Sequence, residues 1–568
     1  MTNSLSMTTN LSLEYMILKN LRITEQLSYS RGMAGSDRFL PADHTSFAEY
    51  DDITRKGSYY KSSGEMSSWS SNFGVNYNFV KDKHLVSVLG NWTVSEDKND
   101  YVNLSATGYP DPHMDDFIFG NKMETSMSNI GSENISRSIG LIGQFSYSYD
   151  NKYSADFNIS GEASSRYAKH DLVPFWSIGG RWNAHNEPFL KGYVSNLVLR
   201  ASYGVTGEQN FSPSDAIEYY SFAETMRPYN SFPVLGALLS GLNNPDLGWA
   251  KTHNTSLSLD VGFWKNRVNV TFNFYNNITK ELLTNYDLAP STGFPTMVMN
   301  AGELQNRGFD LSVNVIALQN LREQLYWTVS ANANHNRNKI RKLSDYLKKI
   351  NEEQMSSATA PLPQYREGES TTTLYVVRSL GVDPVTGKEV YLKRDGTKTF
   401  VWNANDKVPV GDTNPTISGT LSTSVNWKKL SCSLGFTYKF GGIVYNQTLV
   451  DKIENQNVAY NLDYRAGQGR WEEPGDVTPY VGFSPTGANT PASTRFIMDD
   501  NEIRLATLNV GYRFTGDKFK ALRYANVDVL ALNFTTNDIA RISSVKMERG
   551  LDYPFARSYT LSLSIMFR

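Results

Sequence analysis

Period-two alternation of apolar and polar residues is the strongest pattern in this chain, and it recurs in segment after segment. Between residues 256 and 263, Leu257, Leu259, Val261 and Phe263 alternate with Ser256, Ser258, Asp260 and Gly262. After the turn Trp264-Lys265-Asn266-Arg267, Val268, Val270, Phe272 and Phe274 alternate with Asn269, Thr271, Asn273 and Tyr275. Successive side chains of a strand point to opposite faces, so each such segment has one apolar and one polar face. The same alternation marks Ile139 to Tyr149, Tyr153 to Ile159, Phe309 to Val315, Leu430 to Phe440 and Tyr559 to Phe567. Cys432, the single cysteine, falls on an apolar face and reads as a small hydrophobe.

About seventeen such strands are predicted, near 8–17, 20–30, 67–80, 83–95, 136–149, 152–164, 172–184, 194–205, 252–264, 267–279, 304–318, 324–338, 417–428, 430–441, 502–514, 524–534 and 557–567. Each is long enough to cross a bilayer at a tilt. Their connections fall into two sets. One is mostly short, around Leu18-Lys19, Lys81-Asp82, Asp150-Asn151, Lys265-Asn266, Gln319-Asn320 and Lys428-Lys429; the other is mostly long, near 31–66, 96–135, 206–251, 280–303, 339–416, 442–501 and 535–556. Apart from the tight link near 165–171, short and long alternate. Outer-membrane barrels have short periplasmic turns and long extracellular loops, whereas a soluble sandwich has no reason to sort loops by end. The expected fold is therefore all-β, a transmembrane antiparallel β-barrel, with 31–66, 206–251, 339–416 and 442–501 at one end and the turns near Asn151, Asn266 and Lys428 at the other. Within the longest connection, 389–393 and 397–402 flank Asp395-Gly396, which predicts a small hairpin outside the wall.

By this parity the first and last strands both run downward. Seventeen is odd, while bacterial single-chain barrels have even counts. The start MTNSLSMTTNLSLEY has no signal-peptide pattern. The expectation is a barrel domain over residues 1–568 that is incomplete at its N-terminus, with an open seam or a strained parallel closure between its first and last strands.

Composition excludes other classes. Lys and Arg number 55 against 57 Asp and Glu, which is not the basic balance of a general nucleic-acid surface. Mean hydropathy is negative and no run of about 18 apolar residues exists, so no transmembrane helix is expected; alternating barrel strands keep the average polar. The seven histidines form no HExxH or comparable pattern, Walker A is absent, and Gly179-Gly180 sits in a strand. No catalytic, cofactor-binding or metal-ligating residue is assigned, and no enzyme activity is expected. Acidic clusters at 96–100, 111–116 and 499–502 offer oxygen ligands for Ca²⁺, but without EF-hand spacing they read as solvated charge. The long connections carry Tyr50, Tyr59, Tyr60, Tyr219, Tyr220, Trp249, Trp471 and Tyr480. Such rings can stack on sugars or anchor a partner, and equally serve loop packing or the aromatic girdle.

Specific stretches add to this reading: GSYYKSSGEM (57–66), LVPFWSIGGRWNAHNEPFL (172–190), LRASYGVTGEQN (199–210), NPDLGWAKT (244–252), NAGELQNRGFDLSV (300–313), VPVGDTNPTISG (408–419), GRWEEPGDVTPY (469–480) and YPFARSYTLSLSIMF (553–567). In order and spacing the chain resembles the C-terminal barrel portion of SusC/RagA-family TonB-linked (TonB-dependent) outer membrane proteins. The resemblance departs at Ala250, where a charged residue is common, and at Asp310, where Glu is more usual. It implies a 22-stranded barrel of which this chain supplies strands 6–22, import of an oligosaccharide or peptide across the outer membrane of a Gram-negative cell, a SusD-like surface lipoprotein as lid, and TonB acting only through an N-terminal plug region not in these residues. The other readings are a passive porin-like or structural outer-membrane barrel, a non-functional truncated fragment, or a soluble β-protein for adhesion, the last disfavoured by the loop asymmetry.

Overall fold

A computed structural model describes every residue except 1, 122–129, 168, 170, 191, 209–219, 227–232, 240, 345–346, 349–350, 352–357, 360, 362–363, 456–462, 484–488, 517–518, 546–555 and 568. The strands, in chain order, are β1 (Thr2–Leu18), β2 (Leu21–Leu40), β3 (Ser58–Lys81), β4 (His84–Thr107), β5 (Ile130–Tyr149), β6 (Tyr153–Ser164), β7 (Val173–Asn183), β8 (Asn196–Glu208), β9 (Tyr220–Met226), β10 (Pro233–Leu239), β11 (Ala250–Phe263), β12 (Val268–Lys280), β13 (Leu283–Asp287), β14 (Thr296–Asn300), β15 (Glu303–Asn320), β16 (Leu325–Lys342), β17 (Thr373–Val382), β18 (Glu389–Leu392), β19 (Lys398–Thr399), β20 (Lys407–Asp412), β21 (Ile417–Trp427), β22 (Leu430–Tyr445), β23 (Ile497–Thr515), β24 (Val527–Ser543) and β25 (Tyr559–Phe567). Seventeen belong to one large sheet, and each coincides with one of the seventeen strands expected from alternation. No described helix is long and apolar enough to cross a membrane.

The chain forms two compact units, residues 1–179 with 210–248, and 180–209 with 249–568. In the first, β1 to β6 pair each with the next, all antiparallel. The connections at 19–20, 82–83 and 150–152 therefore lie at one end of this meander, and those at 41–57 and 108–129 at the other. Asp82, Asp150 and Asn151 take positive φ in the tight turns, a conformation that Asn and Asp tolerate best among side-chain-bearing residues. The loop end is closed by a small core of Tyr59, Ala106 and Tyr109, with Phe39 and Phe117 packed against it.

In the second unit the antiparallel order is β8, β11, β12, β15, β16, β21, β22, β23, β24, β25. Connections at 264–267, 321–324, 428–429 and 516–526 share one end, and 281–302, 343–416, 446–496 and 544–558 the other. In each unit, the described connections are thus sorted by length and end as expected. The β13–β14 hairpin folds within 281–302, and β17 to β20 form a separate four-stranded sheet within 343–416. Its small hairpin pairs Tyr391 with Thr399 and Leu392 with Lys398 across Asp395-Gly396, outside the wall as expected. The Asp395 carboxylate accepts from the Thr397 amide and hydroxyl, at 2.9 and 2.7 Å, and Gly396 takes φ of +84°.

One expectation is corrected. The regions 31–66 and 96–135 are not loops throughout: β2 runs to Leu40, β3 starts at Ser58 and β4 runs to Thr107, with Ser36 opposite Ser62 and Lys61 opposite Leu104. Alternation marks only the part of a strand that needs an apolar face. Beyond that belt the backbone ladder continues between residues with no reason to alternate.

Candidate functional site: the polar strand face and the folded loop layer

The two faces of the strands differ in chemistry. Phe145 and Leu257 are 45% and 51% exposed, and Leu141, Phe157, Ile159, Leu259, Phe272, Leu561, Leu563 and Ile565 are exposed with them. A soluble surface does not carry contiguous bare apolar side chains on this scale, so this face is built to meet lipid. The opposite face is polar and laterally bonded. In the first unit Ser28 donates to Asn10 (2.8 Å), Ser95 and Ser138 share a bond (2.8 Å), and Ser146 donates to Asp156 (2.7 Å). In the second, Ser258 donates to Asn273 (2.8 Å), Asn332 to Thr420 (3.1 Å) and Asn509 to Ser433 (3.2 Å), while Arg200 pairs with Asp260 (2.6 Å). Such a face suits a hydrated path.

At the loop end of the second unit, residues 373–412 pack with the described residues of 445–497. Val376, Tyr445, Val450, Ala492 and Phe496 form its apolar core, with Tyr480 packed on it. Beside this core lies a buried charge cluster. Arg495 Nη2 stands 2.9 Å from Glu389 Oε2 and 2.6 Å from Glu454 Oε1, and Ser493 Oγ donates to Glu389 Oε1 at 2.5 Å. Burial pushes the Glu454 carboxyl above its ordinary range, against the pull of Arg495. Arg470 gathers backbone instead, donating to the carbonyls of Ala466, Ile453, Glu454 (3.1 Å) and Val481 (3.0 Å). These contacts tie Glu389, in 373–412, to Glu454, Arg470 and Arg495. Among the described residues, no group of three or more His, Cys, Asp or Glu side chains is placed to hold a metal ion. In the acidic clusters, Glu96 pairs with Arg137, Lys98 with Glu133, Asp500 with Lys439 and Glu502 with Arg541.

The aromatic candidates distribute as follows. Tyr59 and Trp249 are buried. Tyr59 donates to Asp37 at 3.4 Å. Tyr60 is 44% exposed and donates to Asn103 at 3.0 Å; Tyr50 is exposed beneath Arg55. Trp471 donates its indole N–H to the Pro384 carbonyl at 2.9 Å, and its backbone N–H bonds the Tyr480 carbonyl at 3.1 Å, so these two meet in the loop layer. Tyr219 lies outside the described residues, as does the side chain of Tyr220. Sequence reasoning missed Glu389, Glu454 and Arg495. Arg470 sits within the GRWEEPGDVTPY stretch, which was the available signal.

Antiparallel up-and-down strands with one lipid-compatible face, one polar face and, in each unit, elaborated loops at one end define the wall of a transmembrane β-barrel. The family model described as TonB dependent receptor-like, beta-barrel, matches residues 2–363, and the chain belongs to that family. It is 24% identical over 520 residues to a TonB-dependent receptor of Formosa agariphila, covering 82% of this chain and 48% of that one. It is 25% identical over 459 residues to the TonB-dependent receptor SusC of Bacteroides thetaiotaomicron, covering 76% and 44%. A chain in the structure of the RagAB peptide importer in its open-open state aligns with TM-score 0.82 at 22% identity, covering 100% of this chain and 61% of that one. The shared fold is thus the TonB-dependent barrel, and the chain spans about half the length of the curated relatives it matches.

Proposed function

We propose that this chain is the wall and extracellular loop layer of an outer-membrane importer for an oligomeric nutrient, a glycan or a peptide. The observation that carries the reading is the two-faced wall: an exposed apolar face for lipid, and opposite it Ser, Thr, Asn and Asp side chains bonded across strands in each unit. The polar face supplies a hydrated route. The layer of 373–412 and the described residues of 445–497 offers area for a SusD-like lipoprotein lid, the partner that the resemblance to SusC/RagA proteins implies. TonB would act through a plug outside these residues. Tyr60, exposed and on a loop-end strand extension, is the aromatic candidate best placed for substrate or lid contact.

The test is growth of a strain whose own copy is deleted, complemented with the complete gene, on pools of oligosaccharides or of oligopeptides as sole source. TonB-dependent growth on one pool supports the reading. Growth at the same rate without TonB would replace it with a passive porin.

A further inference from the structure

On the lipid-compatible face of the second unit, the loop ends of β15 and β16 carry a basic cluster with no acid paired to it among the described residues. Register places Arg307 directly opposite Arg337, and Gln305 opposite Lys339. The four line a depression of about 240 Å³. Arg307, Arg337 and Lys339 are all exposed, and none makes an ion pair among the described residues. The acid on this face of β15, Glu303, sits further toward the loop, opposite Lys280 on one side and Lys342 on the other. Like charges placed directly across a ladder destabilise it, so the arrangement needs an anion to offset it.

The surroundings say which anion. Below Arg307 the same face continues as Phe309, Leu311, Val313 and Val315, with Phe274, Phe272, Val270 and Val268 opposite. The Arg307 guanidinium lies 5.3 Å from the centre of the Phe274 ring. Eight residues separate Arg307 from Val315, roughly 26 Å along a strand, which a tilt of about 35–45° turns into about 19–22 Å of membrane height, most of the ~25 Å apolar band of an outer-membrane barrel. The cations therefore stand where the acyl region ends and headgroups begin, at the loop end.

We propose that Arg307, Arg337 and Lys339 bind the phosphate of an outer-leaflet lipid headgroup, whose acyl chains lie on Phe309, Leu311 and Phe274. The site rests on the outer-membrane reading above. Phosphate is suited to the paired guanidinia, which donate in planar forks.

The test measures binding of diphosphoryl lipid A, dephosphorylated lipid A and inorganic phosphate to the intact protein in neutral detergent. The phosphorylated lipid should bind at least about tenfold more tightly than the dephosphorylated one, the scale of one charge-assisted hydrogen bond. R307Q/R337Q/K339Q should abolish that preference, while R307K/R337K, which retains the charge but not the planar forks, should keep a measurable but smaller preference and controls for folding. Equal binding of the two lipids, or an unchanged triple variant, overturns the proposal. Competition by millimolar inorganic phosphate as strong as that by the lipid overturns the lipid assignment in favour of a free-anion site. Fractionation of the wild-type protein tests the underlying reading separately. Absence from the outer-membrane fraction removes that reading; presence there without phosphate preference overturns only the lipid site.

Discussion

Arg495 Nη2 lies 2.6 Å from Glu454 and 2.9 Å from Glu389, so one guanidinium serves two buried carboxylates. Removing it leaves both acids uncompensated in a site where the Glu454 side chain has no exposed surface. Arg495→Met should destabilise the loop layer by about 3–5 kcal/mol, the usual cost of breaking a buried pair from one side. The loss should be local. Hydrogen exchange should rise in 373–382 and 489–497 while the strand ladders stay protected, and uniform loss of protection would show that the layer is not a separate stability unit.

The same cluster predicts a pH effect. Burial raises the Glu454 carboxyl above 4.5, against the Arg495 attraction. When unfolded, this carboxyl loses its proton near 4.5, and when folded, at a higher pH. The folded form thus holds the extra proton in between, and stability falls as pH rises through that window. Protease resistance of the loop layer should decline as pH rises from about 4.5 toward neutrality. In Glu454→Gln, which leaves Arg495 and Glu389 as a one-to-one pair, the decline should flatten. An unchanged slope in the variant would assign the titration to another group.

The contrast between Leu257 and Glu389 explains what was legible in the sequence. Leu257, Leu259 and Phe272 announce their strands because lipid on one side and water on the other impose period two, and that constraint is local. All seventeen wall strands and the Asp395-Gly396 hairpin were readable for this reason. Glu389 and Arg495 lie 106 positions apart, and nothing near either one signals the other. The strand extensions past Ser30 and Ser95 were hidden because a ladder above the lipid belt needs no apolar face: backbone bonds and cross-strand pairs such as Arg31–Glu65 and Lys98–Glu133 hold it instead.

Two glycines in the recognisable stretches have a packing reason. Tyr275 lies opposite Gly308, and Tyr438 opposite Gly419. A Cβ on Gly308 would overlap the His335 carbonyl oxygen and come within 2.6 Å of the Tyr275 hydroxyl; one on Gly419 would overlap the Asn332 carbonyl, to which Tyr438 donates at 2.8 Å. Because backbone must shift in each case, Gly308→Ala and Gly419→Ala should each cost about 2–4 kcal/mol. Tyr275→Ala in the Gly308→Ala background should recover little, since the carbonyl overlap remains. Equilibrium unfolding from micelles reads both, and wild-type stability in Gly308→Ala would contradict the close approach.

In the first unit, Tyr109 is fully buried against Phe39 and Tyr59, with ring centres 5.1 and 6.4 Å away. Its hydroxyl has no hydrogen-bond partner among the described residues, and burial pushes it up to about 12. A desolvated, unsatisfied hydroxyl costs about 1–3 kcal/mol. Tyr109→Phe should therefore be neutral or stabilising, whereas Tyr109→Ala should cost about 3–5 kcal/mol by opening a cavity. Exchange rates at Tyr59 and Ala106 report this core directly, and faster exchange in Tyr109→Phe would mean that the hydroxyl is bonded.

The lipid face is tested where exposure and alternation agree. Leu257 sits between Ala201 and Phe274 on neighbouring strands, all on the apolar face, while Ser258 faces the other way and donates to Asn273. Arginine at a lipid-facing position costs about 2–4 kcal/mol at the midplane and little near the interfaces. Leu257→Arg should lose that amount in denaturant unfolding from phospholipid vesicles. Ser258→Arg, on the wetted face, should lose about 1 kcal/mol, the value of its one hydrogen bond. The asymmetry is the discriminating quantity, because a one-residue slip of register would exchange the two faces. Equal costs at the two positions, or a larger cost at Ser258, would place lipid on the polar side and remove the basis for both the hydrated path and the headgroup site above Phe309.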